Sequence, residues 1–182
     1  MGEGPRLQTE RLVLRRWEEQ DLNAMAAINA DAEVMRWIGG GSTRTAQETR
    51  AAIAAWEQMW DELGFGLFAV EIRDTGELAG FTGLSIPEFL PEVMPAVEIG
   101  WRLGRDFWGR GIASEAAART LSFAFGECEL ERVISVCQVG NTASERIMQK
   151  LGMELERETV DPTCGRPVHV YAIGAFDYEG LA

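Results

Sequence analysis

The chain has 182 residues, of which 46% are hydrophobic and 25% charged. These values fit a globular protein with a real core and exclude an intrinsically disordered one. Lys and Arg number 17 against 29 Asp and Glu, a net charge of −12, so nucleic-acid binding through a basic face is excluded, whereas attraction of a cationic substrate and plain solubility both remain open.

The first residues, "MGEGPRLQTERL", lack the apolar stretch of a secretory signal, and Arg6 stands where myristoylation needs a hydroxyl residue. No apolar run is long enough for a bilayer. We expect a single domain over residues 1–182, a cytoplasmic location and no membrane partner. "RLVLRRW" (11–17) alternates apolar and charged residues, as a half-buried strand does. Glu18 to Asn29 then carries Leu22, Met25, Ala26 and Ile28 at helical spacing. Thr43 or Thr45 is placed to cap a second helix with an apolar stripe through Ile53, Trp56, Met59, Trp60 and Leu63, and Gly64 to end it. "FGLFAVEIR" and "ELAGFTGLS" read as two strands joined at Asp74-Thr75-Gly76, a hairpin signal. The proline-containing segment 86–95 reads as an ordered loop, and "AVEIGWRL" (96–103) as a fourth strand.

A helix is expected from Ser114 to about Phe125, a strand over 132–139, a helix from Thr142 to about Leu151 closed by Gly152, and two last strands over 154–160 and 168–174. The fold class is therefore mixed α/β, with a mostly antiparallel sheet of about seven strands flanked by helices. Cys128, Cys137 and Cys164 are widely spaced and odd in number, without metal-ligand or redox pairing, and are expected to be free thiols. The lone lysine, Lys150, against 16 arginines reads as a composition bias.

Between the fourth strand and the next helix runs "RDFWGRGIASEAA" (105–117). The N–H groups of a helix's first turn have no partners within the helix and carry about half a positive charge together, so an anion suits them. Gly109 and Gly111 would let it approach the backbone, with Arg105 and Arg110 close by. Taken alone, the stretch is equally a tight turn. It is neither a Walker A loop, which ends in Gly-Lys-Ser/Thr, nor a dinucleotide fingerprint, since the third glycine is missing. In "VEIGWRL", Val97, Ile99, Trp101 and Leu103 share one face and Glu98, Gly100 and Arg102 the other. A strand glycine such as Gly100 often marks a bulge or a ligand's close approach.

Together with "VGNTASERIMQKLGMEL" (139–155) and the opening "LQTERLVLRRW", these blocks resemble the GNAT N-acetyltransferase superfamily, and within it the RimJ/RimL-like ribosomal-protein alanine acetyltransferase branch. The resemblance runs from Leu7 to about Phe176. It implies fourth and fifth strands splayed into a V, with the pantetheine arm of acetyl-CoA lying against unpaired backbone of Ile99, Trp101 and Leu103. The pyrophosphate would sit on N–H groups of the loop and first turn, from Trp108 and Gly109 through Arg110, Gly111, Ile112 and Ala113 to Ser114. Asn141 would touch the pantetheine, Ser144 would lie near the sulfur, and Arg146 and Arg110 would reach the outer phosphates. Trp108 departs from the pattern, which has Gln or Arg there.

The implied reaction is direct acetyl transfer from acetyl-CoA, as co-substrate, to a primary amine: a peptide N-terminus or a small amine such as a polyamine, amino acid or antibiotic. Gly100 or Trp101 N–H would meet the developing oxyanion. Glu98 is the candidate base, acting through water, or else one half of a cross-strand ion pair. The tyrosine that many such enzymes use as general acid is replaced by Met148, which leaves Ser144 or water. Cys137 reads as a buried structural thiol, and His169 as a packed strand residue more readily than a catalytic one. Trp37, Trp56, Trp60 and Phe89 either shape the acceptor pocket or fill the core. A CoA-binding regulatory module without turnover and a structural subunit are the competing classes, and a homodimer is compatible with the branch.

Overall fold

The computed structural model describes residues 4–179. One eight-stranded sheet runs β1 (Leu7–Gln8), β2 (Leu12–Arg15), β3 (Leu67–Ile72), β4 (Leu78–Ser85), β5 (Glu98–Leu103), β6 (Arg132–Gln138), β8 (Arg166–Gly174), β7 (Glu154–Asp161). Every pairing is antiparallel except that of β5 with β6. The expected seven strands become eight because the two-residue β1 pairs with β2; a strand so short shows no periodicity to read. The expected fourth and fifth strands are thus β5 and β6.

Helices α1 (Asp21–Ala30), α2 (Ala32–Met35) and α3 (Ala46–Leu63) follow β2. Thr45 caps α3 with a reciprocal Thr45–Glu48 capping box, and Gly64 ends it in the left-handed conformation at φ 74°, an arrangement worth about 1 kcal/mol at each end. Alternation along β3 splits the core. Leu67 and Ala69 pack with Met25 and Ile28 of α1 and with Trp56 of α3, while Phe68 and Val70 pack on the opposite face with α4 (Ile112–Gly126). Trp60 joins that second core, its ring edge-on to Phe68 at 4.7 Å. Met148 and Leu151, at the end of α5 (Thr142–Lys150), pack into the same core, and α6 (Ala175–Glu179) follows β8. The loop over 86–95 includes a single 3₁₀ turn at Pro91–Val93. Leu90 from this loop is buried against Ile134, Val168 and Val170. No helix among the described residues is long and apolar enough to cross a membrane.

The parallel contact between β5 and β6 is what positions the site. It consists of one rung, Glu98↔Ile134, beyond which the strands part. The expected splay is present, and it leaves a gap in the middle of the sheet.

Candidate active site

The edge of the gap is set by the phase of the β4–β5 ladder. Gly104 N–H donates to Ala79 O at 2.9 Å, so Arg102, Gly100 and Glu98 turn their backbone groups to Phe81, Gly83 and Ser85. Ile99, Trp101 and Leu103 turn theirs to the gap. Two of their carbonyls are already engaged: Ser135 Oγ donates to Ile99 O and Trp108 Nε1 to Leu103 O, both at 2.9 Å. The lone rung also occupies Ile99 N–H. The expectation of three unpaired residues therefore narrows to Trp101, with the N–H of Leu103.

Gly100 requires a second correction. Its N–H lies in the ladder with Gly83, and its carbonyl also accepts from Thr82 Oγ1 at 3.2 Å, so it has no donor to offer an oxyanion. What Gly100 contributes is space: a Cβ there would meet no atom within 4 Å.

The loop before α4 turns through two left-handed glycines, Gly109 (φ 70°) and Gly111 (φ 75°). An added Cβ at Gly109 would meet nothing within 4 Å. Among the described residues, no backbone carbonyl accepts from the N–H groups of Gly109 to Ser114, and Gly111 makes no side-chain cap. The loop is pinned from behind. Arg11 Nη1 donates to Arg110 O at 2.8 Å and Arg11 Nε to Glu115 Oε2 at 2.7 Å, with Thr9 Oγ1 also on Glu115. Partial burial pushes the Glu115 carboxyl up, but Thr9 and Arg11 outweigh it and hold the group below its ordinary value. With its carbonyl side tied down, the loop leaves its N–H side open. Arg110 itself does not line the cleft; its guanidinium lies 5.8 Å from the ring centroid of Phe107, which does. Trp108 is 48% exposed at the cleft mouth, its indole N–H closing the strand end at Leu103 O.

Across the gap, Asn141 caps α5 by accepting from Ser144 N–H at 3.4 Å. His169, on β8, is bonded to Glu145 of α5 and, at 3.2 Å, to Glu158 of β7. Hydrogen bonding to Glu145 raises its pKa. It thus anchors α5 and lines no part of the cleft.

The gap opens into two adjoining halves. One, of about 410 Å³, is walled by the α4 loop and α5 and includes Trp108, Gly109, Gly111 to Ser114, Asn141, Ser144 and Arg146. The other, of about 450 Å³, lies toward α3 and the β7–β8 connection and includes Glu98, Gly100, Trp56, Phe89 and Met148. Trp37, Ile38, Trp101, Arg102, Asn141 and Ser144 line both, so the halves meet at Trp101 and Ser144. Ile99 belongs to the core beneath, 0% exposed.

Glu98, on the floor of the second half, has its carboxyl pushed up to about 8 by burial, with the Val136 backbone N–H opposing. Such a group takes and gives a proton near neutral pH. It makes no ion pair among the described residues, so the cross-strand pairing alternative is not seen. Cys137 also lines this half, but burial, and then Glu145, pushes its thiol up to about 12, which suits a packed thiol.

Of the aromatics singled out from sequence, Trp37, Trp56 and Phe89 line the cleft and Trp60 is core. Sequence reasoning missed Glu33, Arg44 and Arg102 as lining residues. For Arg102 the one signal was its place on the same strand face as Glu98 and Gly100.

Residues 11–154 match the family described as "Acetyltransferase (GNAT) domain". "Uncharacterized N-acetyltransferase YoaA" of Bacillus subtilis (strain 168) is 30% identical over 152 residues, 84% of this chain and 84% of its own length. Among solved structures, a GNAT-family acetyltransferase from Bacillus anthracis is 28% identical with a TM-score of 0.79, over 94% of this chain and 99% of its own. RimL, the ribosomal L7/L12 alpha-N-protein acetyltransferase in complex with coenzyme A, has a TM-score of 0.75 at 20% identity, over 91% of this chain and 95% of its own. That last likeness is one of fold alone.

Proposed function

The chain belongs to the acetyltransferase (GNAT) domain family, and from that premise we propose that it transfers an acetyl group from acetyl-CoA directly to a primary amine. The observation that carries this reading is the continuity of the cleft. Backbone donors stand at one end, a proton acceptor at the other, and Trp101 and Ser144 at the narrow junction.

The residues present fit the donor. The N–H groups of Gly109 to Ser114, pinned open by Arg11, suit a diphosphate. Trp101 and Leu103 supply strand-like backbone groups for an amide-containing arm, and Arg146 borders the outer end. When bound, acetyl-CoA supplies an acetyl group activated as a thioester. Glu98 takes the proton that the acceptor ammonium must lose, through water bridging the space over Gly100. Trp101 N–H is the donor aimed at the junction, where negative charge gathers on the acetyl oxygen. Ser144 Oγ is the hydroxyl placed to return a proton to the departing sulfur, since Met148 offers none.

Within the family, resemblance to the RimJ/RimL-like branch favours a peptide N-terminus as acceptor, and the net acidity favours a small cation. A second reading, a CoA-binding regulator without turnover, is favoured by one observation: neither Tyr171 nor Tyr178 lines the cleft. The two readings separate on thiol release. Acetyl-CoA should raise the melting temperature, and thiol release should follow on adding amines or peptides of varied first residue. Binding without release for every acceptor would favour the regulator. The absence of both a thermal shift and a calorimetric heat with acetyl-CoA would defeat both.

A further inference from the structure

Arg102, on β5, is 8% exposed and lines both halves of the cleft. Its Nη1 donates to Asn29 Oδ1 at 2.7 Å, its guanidinium lies 5.1 Å from the Phe81 ring centroid, and its Nε is buried with no partner. Arg44 lines the same acceptor half, its backbone N–H bonded to the Asn29 carbonyl at 2.9 Å. Asn29 thus holds the Arg102 guanidinium and the main chain of Arg44, and Thr49 Oγ1 in turn accepts from Asn29 Nδ2 at 3.0 Å. Among the described residues, neither arginine has a carboxylate within 4.0 Å.

That shortage is local. The chain has 29 acidic residues, and a buried guanidinium left without one loses its hydration and gains no counter-charge. The carboxylates of this half do not serve. Glu98 stands two rungs away on the floor, and Asp161 is engaged by Thr163 and Cys164. Burial, and then the charge of Arg44, brings Arg102 down to about 9, the behaviour of a cation short of an anion. A planar guanidinium with free N–H groups matches the two oxygens of a carboxylate.

On the acetyltransferase reading above, we infer that the amine acceptor carries a carboxylate, gripped by Arg102 with Arg44 while its amine lies over Gly100 toward Glu98. Glu98 and Arg102 sit four residues apart on one strand face, a Cα separation of roughly 13 Å. With the open position at Gly100 between them, that span accommodates either a free amino acid or the first residues of a peptide with an acidic side chain. The local field here is positive, opposite to the sign that the net charge of −12 suggests.

The test uses the full chain with saturating acetyl-CoA. Thiol release is measured for amino acids against their carboxamides, and for short peptides with Asp against Asn in second place. We expect a preference for the charged form of about tenfold or more in kcat/KM in one arm, and the arm that shows it identifies the source of the carboxylate. Arg102→Gln should shrink that preference to within about twofold, through KM for the acid, with the Kd for acetyl-CoA unchanged. Arg44→Gln, at a half-buried position, should shrink it partially, which keeps the test valid if the Arg102 variant folds poorly.

As a turnover-free check, the CoA-loaded protein should bind an N-acetyl amino acid more tightly than its amide in calorimetry. Equal use of acid and carboxamide overturns the inference. So does a preference that survives both variants, or equal binding of the two products. Failure of acetyl-CoA to bind before any amine is added strikes the parent reading instead.

Discussion

Arg15 and Arg102 are both buried arginines, and their surroundings differ in one respect. Arg15, 4% exposed on β2, is enclosed by carboxylates. Asp21 accepts from its Nη1 and Nη2 at 2.7 and 2.9 Å, and Glu71 from its Nε at 2.8 Å. Arg102, 8% exposed on β5, has a neutral asparagine oxygen and an aromatic face. Hydrogen bonding to Asp21 raises the pKa of Arg15 still further, whereas burial brings that of Arg102 down to about 9. The Arg15 cluster ties β2 and β3 to the first turn of α1, and every charge in it is answered from within the chain. The region around Arg102 leaves its charge for something outside the chain to answer. Residue type and burial are shared, so the placement of carboxylates separates a fastener from a binding group.

Removing each guanidinium is the most forceful way to break that contrast. Arg15→Met strands Asp21, 3% exposed, without its counter-charge, and should cost about 3–5 kcal/mol in urea denaturation. Arg102→Met removes a buried charge that had no counter-charge, which offsets the cost of orphaning the buried Asn29 oxygen, so the net loss should stay below about 2 kcal/mol. Equal losses would mean that the two arginines serve the same purpose.

Glu98 sharpens the comparison on the acidic side, as a half-buried carboxyl without a cation. Glu98→Gln should lower kcat about 100-fold and abolish a pH–rate profile that, in the parent, climbs to a plateau above pH 8. Stability should respond in the opposite sense. The folded pKa, about 8, lies above the ordinary 4.5, so the folded chain holds a proton that the unfolded chain releases. The resulting contribution is full below about pH 4.5 and is lost as pH rises through 8. The variant should match the parent in stability near pH 4 and exceed it by several kcal/mol, at most about 5, at pH 9. A variant with parental turnover and parental stability at both pH values would remove Glu98 from the chemistry.

Much of this was legible in the chain because it rests on local chemistry. Thr45 with Glu48 three residues on, and Gly64 past the stripe, announce α3. The glycines at 109 and 111 announce a junction where backbone is bared. Asn141 and Ser144 were legible only through the resemblance, since Asn-Thr-Ala-Ser alone is a helix cap. What escaped depends on packing between distant segments. Arg102 reads in "VEIGWRL" as the polar side of a half-exposed strand, until Asn29 and Phe81 close over it. Arg44, in "GGGSTRT", reads as a solvated loop. The carbonyl of Ile99 reads as free until Ser135 reaches it across the gap. Each is a meeting of elements that no single window of sequence contains.

Two of the glycines that line the cleft, Gly111 and Gly100, carry the same contrast at its smallest amplitude. Gly111 has φ 75°, and a Cβ there would also lie 3.4 Å from Arg11 Nη2. Gly111→Ala should therefore cost about 1 kcal/mol of stability and weaken acetyl-CoA binding together with it. Gly100 is different: it sits in extended β5, and a Cβ there meets no protein atom within 4 Å. A strand residue with a side chain loses less entropy on folding than glycine does, so Gly100→Ala should be neutral or stabilising by up to about 0.5 kcal/mol. The methyl would occupy the space between Glu98 and Arg102 through which an acceptor must reach the junction. Turnover should fall while the melting temperature holds, with the loss in KM for the amine and not in the Kd for acetyl-CoA. Unaltered kinetics in a stable Gly100→Ala protein would mean that the open face of β5 is not where the acceptor lies.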